Sequence, residues 1–434
     1  MTLFQKIGLM IIAAGIFSLS ATPVNDIGAL SVVGKEIKGN NGQVAQLRGM
    51  SLYWSQSKAG RDFFNSGVVN WLADDWHANI IRAAMAIEGD WSASEKGYLS
   101  DPATNKARVK TVVDAAIAKG IYVIIDWHDH NALDHQSQSA TFFKEMAQTY
   151  GTYPNVIYEI YNEPNEGKAW DGIRNYSIAV IDTIRRYDPD NLIVVGTPMF
   201  SSDVVAAAKN PIAGKTNIAY AFHFYASEQW HYDHYMAKAD SAIQMGLPLF
   251  VTEWGNSMAS GSGALNRSYM DAFMNWMEGK KLCWCNWSVS DLSETSSALK
   301  AGNWDSNGNL THVVSTNGGW SSSDLSESGT YTRNKMRSFN PAWQMTLVSN
   351  AKSLSQMKNA VTVRSVHEGI VINFKENRKW ERVEVIDLKG RVLTNKVLSG
   401  NQSEVRMEAV RFSGTAVVHL KGKDQNCIVP IISE

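Results

Sequence analysis

Tyr158-Glu159-Ile160-Tyr161-Asn162-Glu163-Pro164 reads as a buried β-strand that ends by presenting an Asn-Glu pair beyond its tip. Leu249-Phe250-Val251-Thr252-Glu253-Trp254-Gly255 does the same later in the chain with a second Glu. Around these two, short apolar runs alternate with longer amphipathic ones, the signature of parallel βα units. The strands expected are Gln46–Met50, Asn79–Met85, Ile121–Trp127, Val156–Tyr161, Leu192–Val195, Ile218–His223, Leu249–Glu253 and Cys283–Trp287. Between them lie helix-like stretches. In Arg108–Lys119, Val109, Val112, Val113, Ala116 and Ile117 recur at helical spacing and Gly120 supplies the stop. Another is Ile173–Tyr187, closed by Asp188-Pro189-Asp190. Eight such units predict an α/β fold, a (β/α)8 TIM barrel, over residues 43–340. A doubly wound open sheet is the alternative, but no Gly-rich phosphate loop follows any of these strands.

The chain has 434 residues, 44% of them apolar and 19% charged, as in an ordinary globular protein, which leaves room for one large domain and a smaller one. A net charge of −1 argues against nucleic acid or an anionic membrane as the main partner. Lys6 precedes the apolar run Ile7–Leu19, and small residues follow at Ser20-Ala21-Thr22. Residues 1–21 therefore read as a signal peptide, too short to span a bilayer, and the mature protein is expected to be secreted or held at the cell surface. Residues 22–42 are a lead-in to the barrel. Cys283 and Cys285 share one face of a strand and Cys427 lies in the other domain, so no disulfide is expected.

In a TIM barrel, functional groups sit at the C-terminal ends of the strands. Arg82, His128, Asn162 with Glu163, His223 with Tyr225, Glu253 and Trp287 all fall at or near such ends. Two carboxylates on separate strand tips suit glycoside hydrolysis with retention, where one carboxyl donates to the leaving oxygen and the other attacks. Some of the 15 Trp are expected to line a sugar cleft, where flat rings stack on pyranose faces.

From about Gln43 to Ser338 the sequence resembles glycoside hydrolase family 5, in particular its bacterial endo-β-1,4-glucanases. The motifs that carry the resemblance are Leu47-Arg48-Gly49-Met50-Ser51, Ile81-Arg82-Ala83-Ala84-Met85, Ile124-Ile125-Asp126-Trp127-His128 and Val156 through Pro164. Ala221-Phe222-His223-Phe224-Tyr225, Val251-Thr252-Glu253-Trp254-Gly255 and Asn286-Trp287-Ser288 complete the set. The resemblance implies Glu163 as general acid/base with a raised pKa and Glu253 as nucleophile. It implies Arg82 and Tyr225 as groups that orient the nucleophile, Asn162 on the sugar 2-hydroxyl, and His128 and His223 around the reacting sugar. Trp287 would be the platform beneath that sugar, with Tyr53 and Trp54 as further binding residues. Where many relatives have His near the end of strand 1, this chain has Leu52-Tyr53-Trp54, and Ser290-Asp291-Leu292 replaces a run that often ends in Lys. Both departures read as changes at sugar subsites remote from the bond broken.

The expected activity is endo-hydrolysis of cellulose or a related β-glucan by a monomer without cofactor or metal. Mannan, xyloglucan and mixed-linkage glucan are alternative substrates. His128-Asp129-His130-Asn131-Ala132-Leu133-Asp134-His135 raises a metal-dependent hydrolase as a rival, although the spacing from His130 to Asp134 does not suit a His-x-His-x-Asp-His array. On the preferred reading, His130 and His135 are polar loop residues beside the cleft. A sugar-binding protein without catalysis is a further rival, but such chains usually lose a carboxylate.

After Asn340-Pro341 the texture shifts to short alternating runs such as Ile370-Val371-Ile372-Asn373-Phe374 and Val383-Glu384-Val385-Ile386. We expect a linker at 341–352 and a small all-β sandwich at 353–434. From residue 345 on, 14 Lys plus Arg face 9 Asp plus Glu, net +5, which leaves −6 for the first 344 residues. Val385–Val392 resembles sorting or anchoring modules of exported bacterial enzymes, so contact with the cell surface or export machinery is expected there. Trp380 is this domain's only Trp, thin for a carbohydrate-binding module.

Overall fold

The computed structural model describes residues 22–89, 95–304 and 310–340, then 361–366, 369–374, 381–387, 392–398, 404–408, 415–422 and 425–432. The signal-peptide and linker expectations, and Trp380, lie outside these residues. The chain divides into two compact units, one of residues 22–343 and one that contains residues 344–434.

The first unit is a closed parallel barrel. A hairpin of β1 (Leu30–Val33) and β2 (Glu36–Gly39) precedes it. The barrel strands are β3 (Arg48–Leu52), β4 (Ile80–Ala86), β5 (Tyr122–His128), β6 (Val156–Glu159), β7 (Ile193–Val195), β8 (Ile218–Tyr225), β9 (Leu249–Gly255) and β10 (Trp284–Val289). β10 closes against β3, and after it β11 (Asn303–Trp304) and β12 (Leu310–His312) form a short antiparallel pair. All eight match the expected strands within a few residues, because strands buried on both sides read as continuous apolar runs.

Strand period decides what faces inward. Leu47, Ile80, Tyr122, Ile124, Ile157, Leu192, Val194, Ala219, Ala221, Phe250, Cys283 and Cys285 form one apolar cluster within the barrel. The alternate residues, among them Met50, Ile81, Val123, Ile125 and Tyr158, join a larger cluster with the surrounding helices. Cys283 and Cys285 are buried and free. Leu30, Ile37 and Ala45 belong to the inner cluster, so the lead-in plugs the end of the barrel where strands begin. Asn217 secures the plug, accepting from Val32 N at 2.7 Å and donating to Leu30 O at 2.9 Å.

The helix expected at Arg108–Lys119 begins earlier, at Pro102. Asp101 caps it by accepting from Thr104 N, and Pro102 suits the first turn. Its first turns carry no apolar period, the buried residue there being Asn105, and so gave no signal. It ends, as expected, at Gly120, whose φ of 74° is left-handed. The helix expected at Ile173–Tyr187 spans Trp170–Arg185.

In the second unit, β13 (Val361–Val366), β14 (Gly369–Phe374) and β17 (Glu404–Glu408) form one antiparallel sheet. β15 (Arg382–Asp387), β16 (Val392–Val397), β18 (Thr415–Gly422) and β19 (Gln425–Ile432) form a second. Ile370, Ile372, Val405 and Met407 of the first share a core with Val383, Val385, Val418 and Leu420 of the second. Two sheets around one core make a small β-sandwich.

Candidate active site

The inward columns of the barrel turn polar at their C-terminal ends. Above Ile80 comes Arg82; above Tyr122 and Ile124 comes Asp126, then His128; above Ile157 comes Glu159; above Ala219 and Ala221 comes His223; above Cys283 and Cys285 comes Trp287. In β9 the period alone would turn Thr252 inward after Phe250. A register shift pairs Ala221 with Phe250 but His223 with Glu253, so Glu253 takes the place beside His223. Bulges re-aim side chains in this way beside active sites.

Arg82 is fully buried and organises the floor. Its Nε donates to Glu159 Oε2 at 2.7 Å, Nη1 to Glu253 Oε2 at 2.8 Å and to Ser51 Oγ at 3.3 Å, and Nη2 to Asn162 Oδ1 at 2.6 Å. Nη2 also lies 2.9 Å from Asp126 Oδ2. Five N–H groups thus meet five acceptors, a match the planar guanidinium makes and an ammonium cannot. Tyr225 Oη donates to the other Glu253 oxygen at 2.9 Å, so both oxygens of that carboxylate are fixed. Gly255 makes room for this phenol, since a Cβ there would meet Tyr225 Cδ1 at 2.3 Å. With its oxygen on Arg82, Asn162 keeps a buried Nδ2 that meets no acceptor among the described residues.

Glu163 is held by two imidazoles. His223 Nδ1 lies 2.9 Å from its Oε1 and His130 Nε2 lies 3.2 Å from its Oε2. Burial by itself raises the Glu163 pKa, but hydrogen bonds from His130 and His223 outweigh it and hold the carboxyl below its ordinary range. The raised pKa expected for this residue is therefore not a property of the ligand-free site. His223 moves the opposite way, up to about 9. Its burial disfavours charge, but the neighbouring carboxylates Glu159, Glu163 and Glu253 outweigh that. Nε2 of His223 lies 2.8 Å from Thr252 Oγ1, and 3.7 Å from Glu159 Oε1, too far for a hydrogen bond. Carboxylate oxygens of Glu163 and Glu253 lie within 4.8 Å of one another.

This geometry agrees with what the chain resembles elsewhere. The family model described as Cellulase (glycosyl hydrolase family 5) matches residues 38–293. The chain belongs to glycosyl hydrolase family 5. An endoglucanase of Clostridium saccharobutylicum is 41% identical over 324 residues, 73% of this chain and 67% of that protein. A solved structure from Cytophaga hutchinsonii is 43% identical, with a TM-score of 0.67 over 74% of this chain and 97% of that one. The catalytic domain of Thermobifida fusca endoglucanase Cel5A, in a complex with cellotetraose, is 34% identical, with a TM-score of 0.64 over 73% and 99%. The chain spans about two thirds of the curated relatives it matches.

One group of the enzyme's aromatic rings packs around Trp287. His128 lies parallel to Trp287, centroids 5.2 Å apart and planes 9° apart. Tyr53 stacks on Trp54 at 5.6 Å and leans on Trp287 at 5.3 Å. The departure at Tyr53-Trp54 thus lies in ring contact with Trp287. His128 donates Nδ1–H to Asp126 Oδ2 at 2.7 Å, which leaves Nε2 an acceptor. Burial and the Arg82 charge press its pKa down to about 3, so the ring stays neutral.

The His-rich run does not converge on one point. His128 turns to Asp126 and His130 to Glu163, while His135 donates to Asp129 Oδ2 at 2.8 Å. Glu88, Asp129 and His135 come close enough to share an ion, but Asp129 already accepts from Trp127, Asn131 and His135. In the other such group, Glu163, His223 and Glu253, each side chain is bound to a neighbour.

Sequence reasoning missed four residues. Asp126 and Glu159 look like polar interruptions of apolar strands, and only barrel closure brings them to Arg82. His130 passed for a loop residue. Phe200 lies in Met199-Phe200-Ser201, where all three φ angles are 57°, and lines a hollow of about 310 Å³ with Glu163, His223, Tyr225, His231 and Tyr235. Its signal was absent because non-Gly residues seldom adopt left-handed backbone. On the other flank, Trp54, Glu88, His128 and His130 line a smaller hollow of about 70 Å³.

Proposed function

We propose that the enzyme cleaves internal β-1,4-glucosidic bonds by double displacement, with Glu253 as nucleophile and Glu163 as acid, then base. Membership of family 5 and its endoglucanase relatives make the chain an endoglucanase, a cellulase. The observation that carries the mechanism is that one oxygen of Glu163 lies within 4.8 Å of one oxygen of Glu253. Retaining enzymes separate these groups by about 5–5.5 Å, and inverting ones by about 6.5–9.5 Å to admit a water.

In the first step a Glu253 oxygen bonds to the anomeric carbon while the bond to the leaving oxygen breaks and takes the proton of Glu163. Arg82 and Tyr225 each hold one oxygen of Glu253 and keep it aimed. In the second step Glu163 removes a proton from water, the water oxygen bonds to the anomeric carbon, and Glu253 is released. Asn162 Nδ2 donates to the sugar 2-hydroxyl, and the Trp287, Tyr53 and Trp54 group, with His128, carries the sugar on the non-leaving side. The proton for the first step resides on the His223–Glu163 pair, on His223 until substrate excludes water from Glu163 and favours its neutral form.

The test is the anomer first released from a soluble cello-oligosaccharide, followed by proton NMR. The β-anomer supports the reading; the α-anomer overturns it. Carboxymethylcellulose viscosity that falls steeply with few new reducing ends supports internal cleavage. Activity confined to mannan or xyloglucan would move the substrate and leave the two carboxylates in place. Chelation should leave turnover unchanged, because the candidate donors already bind one another.

Among the described residues no helix is long and apolar enough to cross a membrane. We read residues 1–21 as an export signal, the mature enzyme as a secreted or surface-held monomer, and the basic β-sandwich as its sorting or anchoring module. All proposed site residues lie within residues 53–287, so truncation after Trp343 should leave hydrolysis of soluble glucan unchanged within about twofold, about 0.4 kcal/mol.

A further inference from the structure

We propose that Trp230 is a stacking platform for a distal sugar of the leaving portion of a β-glucan chain. This inference rests on the activity proposed above. Glu163 protonates the leaving oxygen on that reading, so the hollow it lines with Phe200, His231 and Tyr235 takes the leaving portion. The helix Gln229–Gln244 starts just after β8, at the rim that carries the site, and Trp230 is its second residue. His231, next in the chain, lines the hollow and accepts from Tyr225 N at 2.9 Å. Trp230 thus precedes a wall residue of the hollow by one position.

Two i,i+4 ring pairs stand side by side on this first turn. His231 stacks on Tyr235 at 4.1 Å, forming part of the wall of the hollow. Trp230 stacks on His234 at 3.7 Å with planes 27° apart, and His234 Nδ1 lies 2.9 Å from Trp230 O. One face of the indole is therefore covered and ordered, while the side chain stays 61% exposed. Exposing so large an apolar ring has no packing rationale, whereas a pre-ordered ring offers apolar area to a pyranose at little entropic cost. Exposed apolar groups also line the hollow itself, at Met199 and Phe200.

The test compares wild type with Trp230→Ala on carboxymethylcellulose and on an aryl β-cellobioside, whose leaving group is a phenol that ends short of Trp230. The ratio of the two kcat/KM values should fall roughly five- to tenfold, the equivalent of one aromatic stack, through KM more than kcat. Trp230→Phe should restore most of that ratio. In a Glu253→Gln background, Trp230→Ala should also weaken retention of the folded protein in a native gel that contains carboxymethylcellulose. An unchanged ratio with unchanged retention overturns the proposal. So does an equal fall on both substrates, which would report packing, or dissociation of an oligomer with the ratio unchanged, which would make Trp230 a subunit contact. Wild type that turns over neither substrate would overturn the proposed activity along with this inference; wild type active on both, with an unchanged ratio, would overturn only this inference.

Discussion

Arg82 grips Glu253 through a single N–H, Nη1 to Oε2 at 2.8 Å, while its remaining four N–H groups hold Glu159, Asp126, Asn162 and Ser51. The proposed nucleophile is thus one of three buried carboxylates that share one fixed cation. Arg82→Gln leaves those carboxylates without it. Removing one partner of a buried ion pair costs about 3–5 kcal/mol, and urea unfolding should show a loss of that order. Adding Glu159→Gln removes one of the stranded charges and should recover part of the stability but none of the activity. Equal losses in the single and double variants would show that the charges are not coupled.

His223 and Glu163 should set the alkaline limb of kcat/KM together. With His223 raised to about 9, the pair keeps its proton until the pH passes that value, and activity should fall above it. His223→Gln leaves the proton on Glu163 alone with His130, so the limb should move down by at least one pH unit. The same shift has a stability consequence. A histidine whose pKa is raised on folding stabilises fully below its unfolded value of about 6.5 and loses that contribution as pH rises through 9. Glu159, buried yet brought down to about 2 by Arg82 and His223, contributes above its ordinary range near 4.5 and loses that contribution as pH falls toward 2. Thermal unfolding across pH should therefore show a plateau between those ordinary values. A limb unmoved in His223→Gln would remove His223 from the proton's path.

Gly255→Ala should act on Glu253 without touching it. The added Cβ would sit 2.3 Å from Tyr225 Cδ1, so the phenol must swing off the carboxylate. We expect the variant to lose about as much kcat/KM as Tyr225→Phe, roughly tenfold for one hydrogen bond to a charged group. Combining the two should cost little more than either alone. Full additivity would mean that Gly255 acts by another route.

The barrel was legible because each strand is apolar on both faces, and the two Glu stood out because each ends such a strand. What the sequence hid depends on closure and local backbone. Asp126 and Glu159 become partners of Arg82 only when β4, β5 and β6 lie side by side, with Asp126 opposite Glu159. The position of Glu253 rests on a register shift in β9 that period-2 reading does not foresee. His130 was one of three His in a polar run, and nothing in that run says which one turns to Glu163. The depressed pKa of Glu163 follows from the same contact, added to that of His223 on another strand.

Phe200 tests whether the site stores strain for its shape. Its φ of 57° is costly for any side chain with a Cβ, by about 1–2 kcal/mol, and its neighbours Met199 and Ser201 share it. The ring is 40% exposed, so removing it costs less packing than a core Phe would. Phe200→Gly should relieve the backbone and match or exceed wild type in unfolding free energy, whereas Phe200→Ala loses the ring without relief and should fall below it. Both variants remove the apolar wall beside Glu163 and should raise KM for polymeric glucan several-fold, about 1 kcal/mol of lost contact. Stability that separates Gly from Ala, with a shared loss of affinity, would show that the left-handed turn is maintained against its own preference to hold this ring at the cleft. Equal stability in the two variants would show instead that the turn is set by Pro164 O, which accepts from Phe200 N at 2.9 Å, and that the side chain adds no strain.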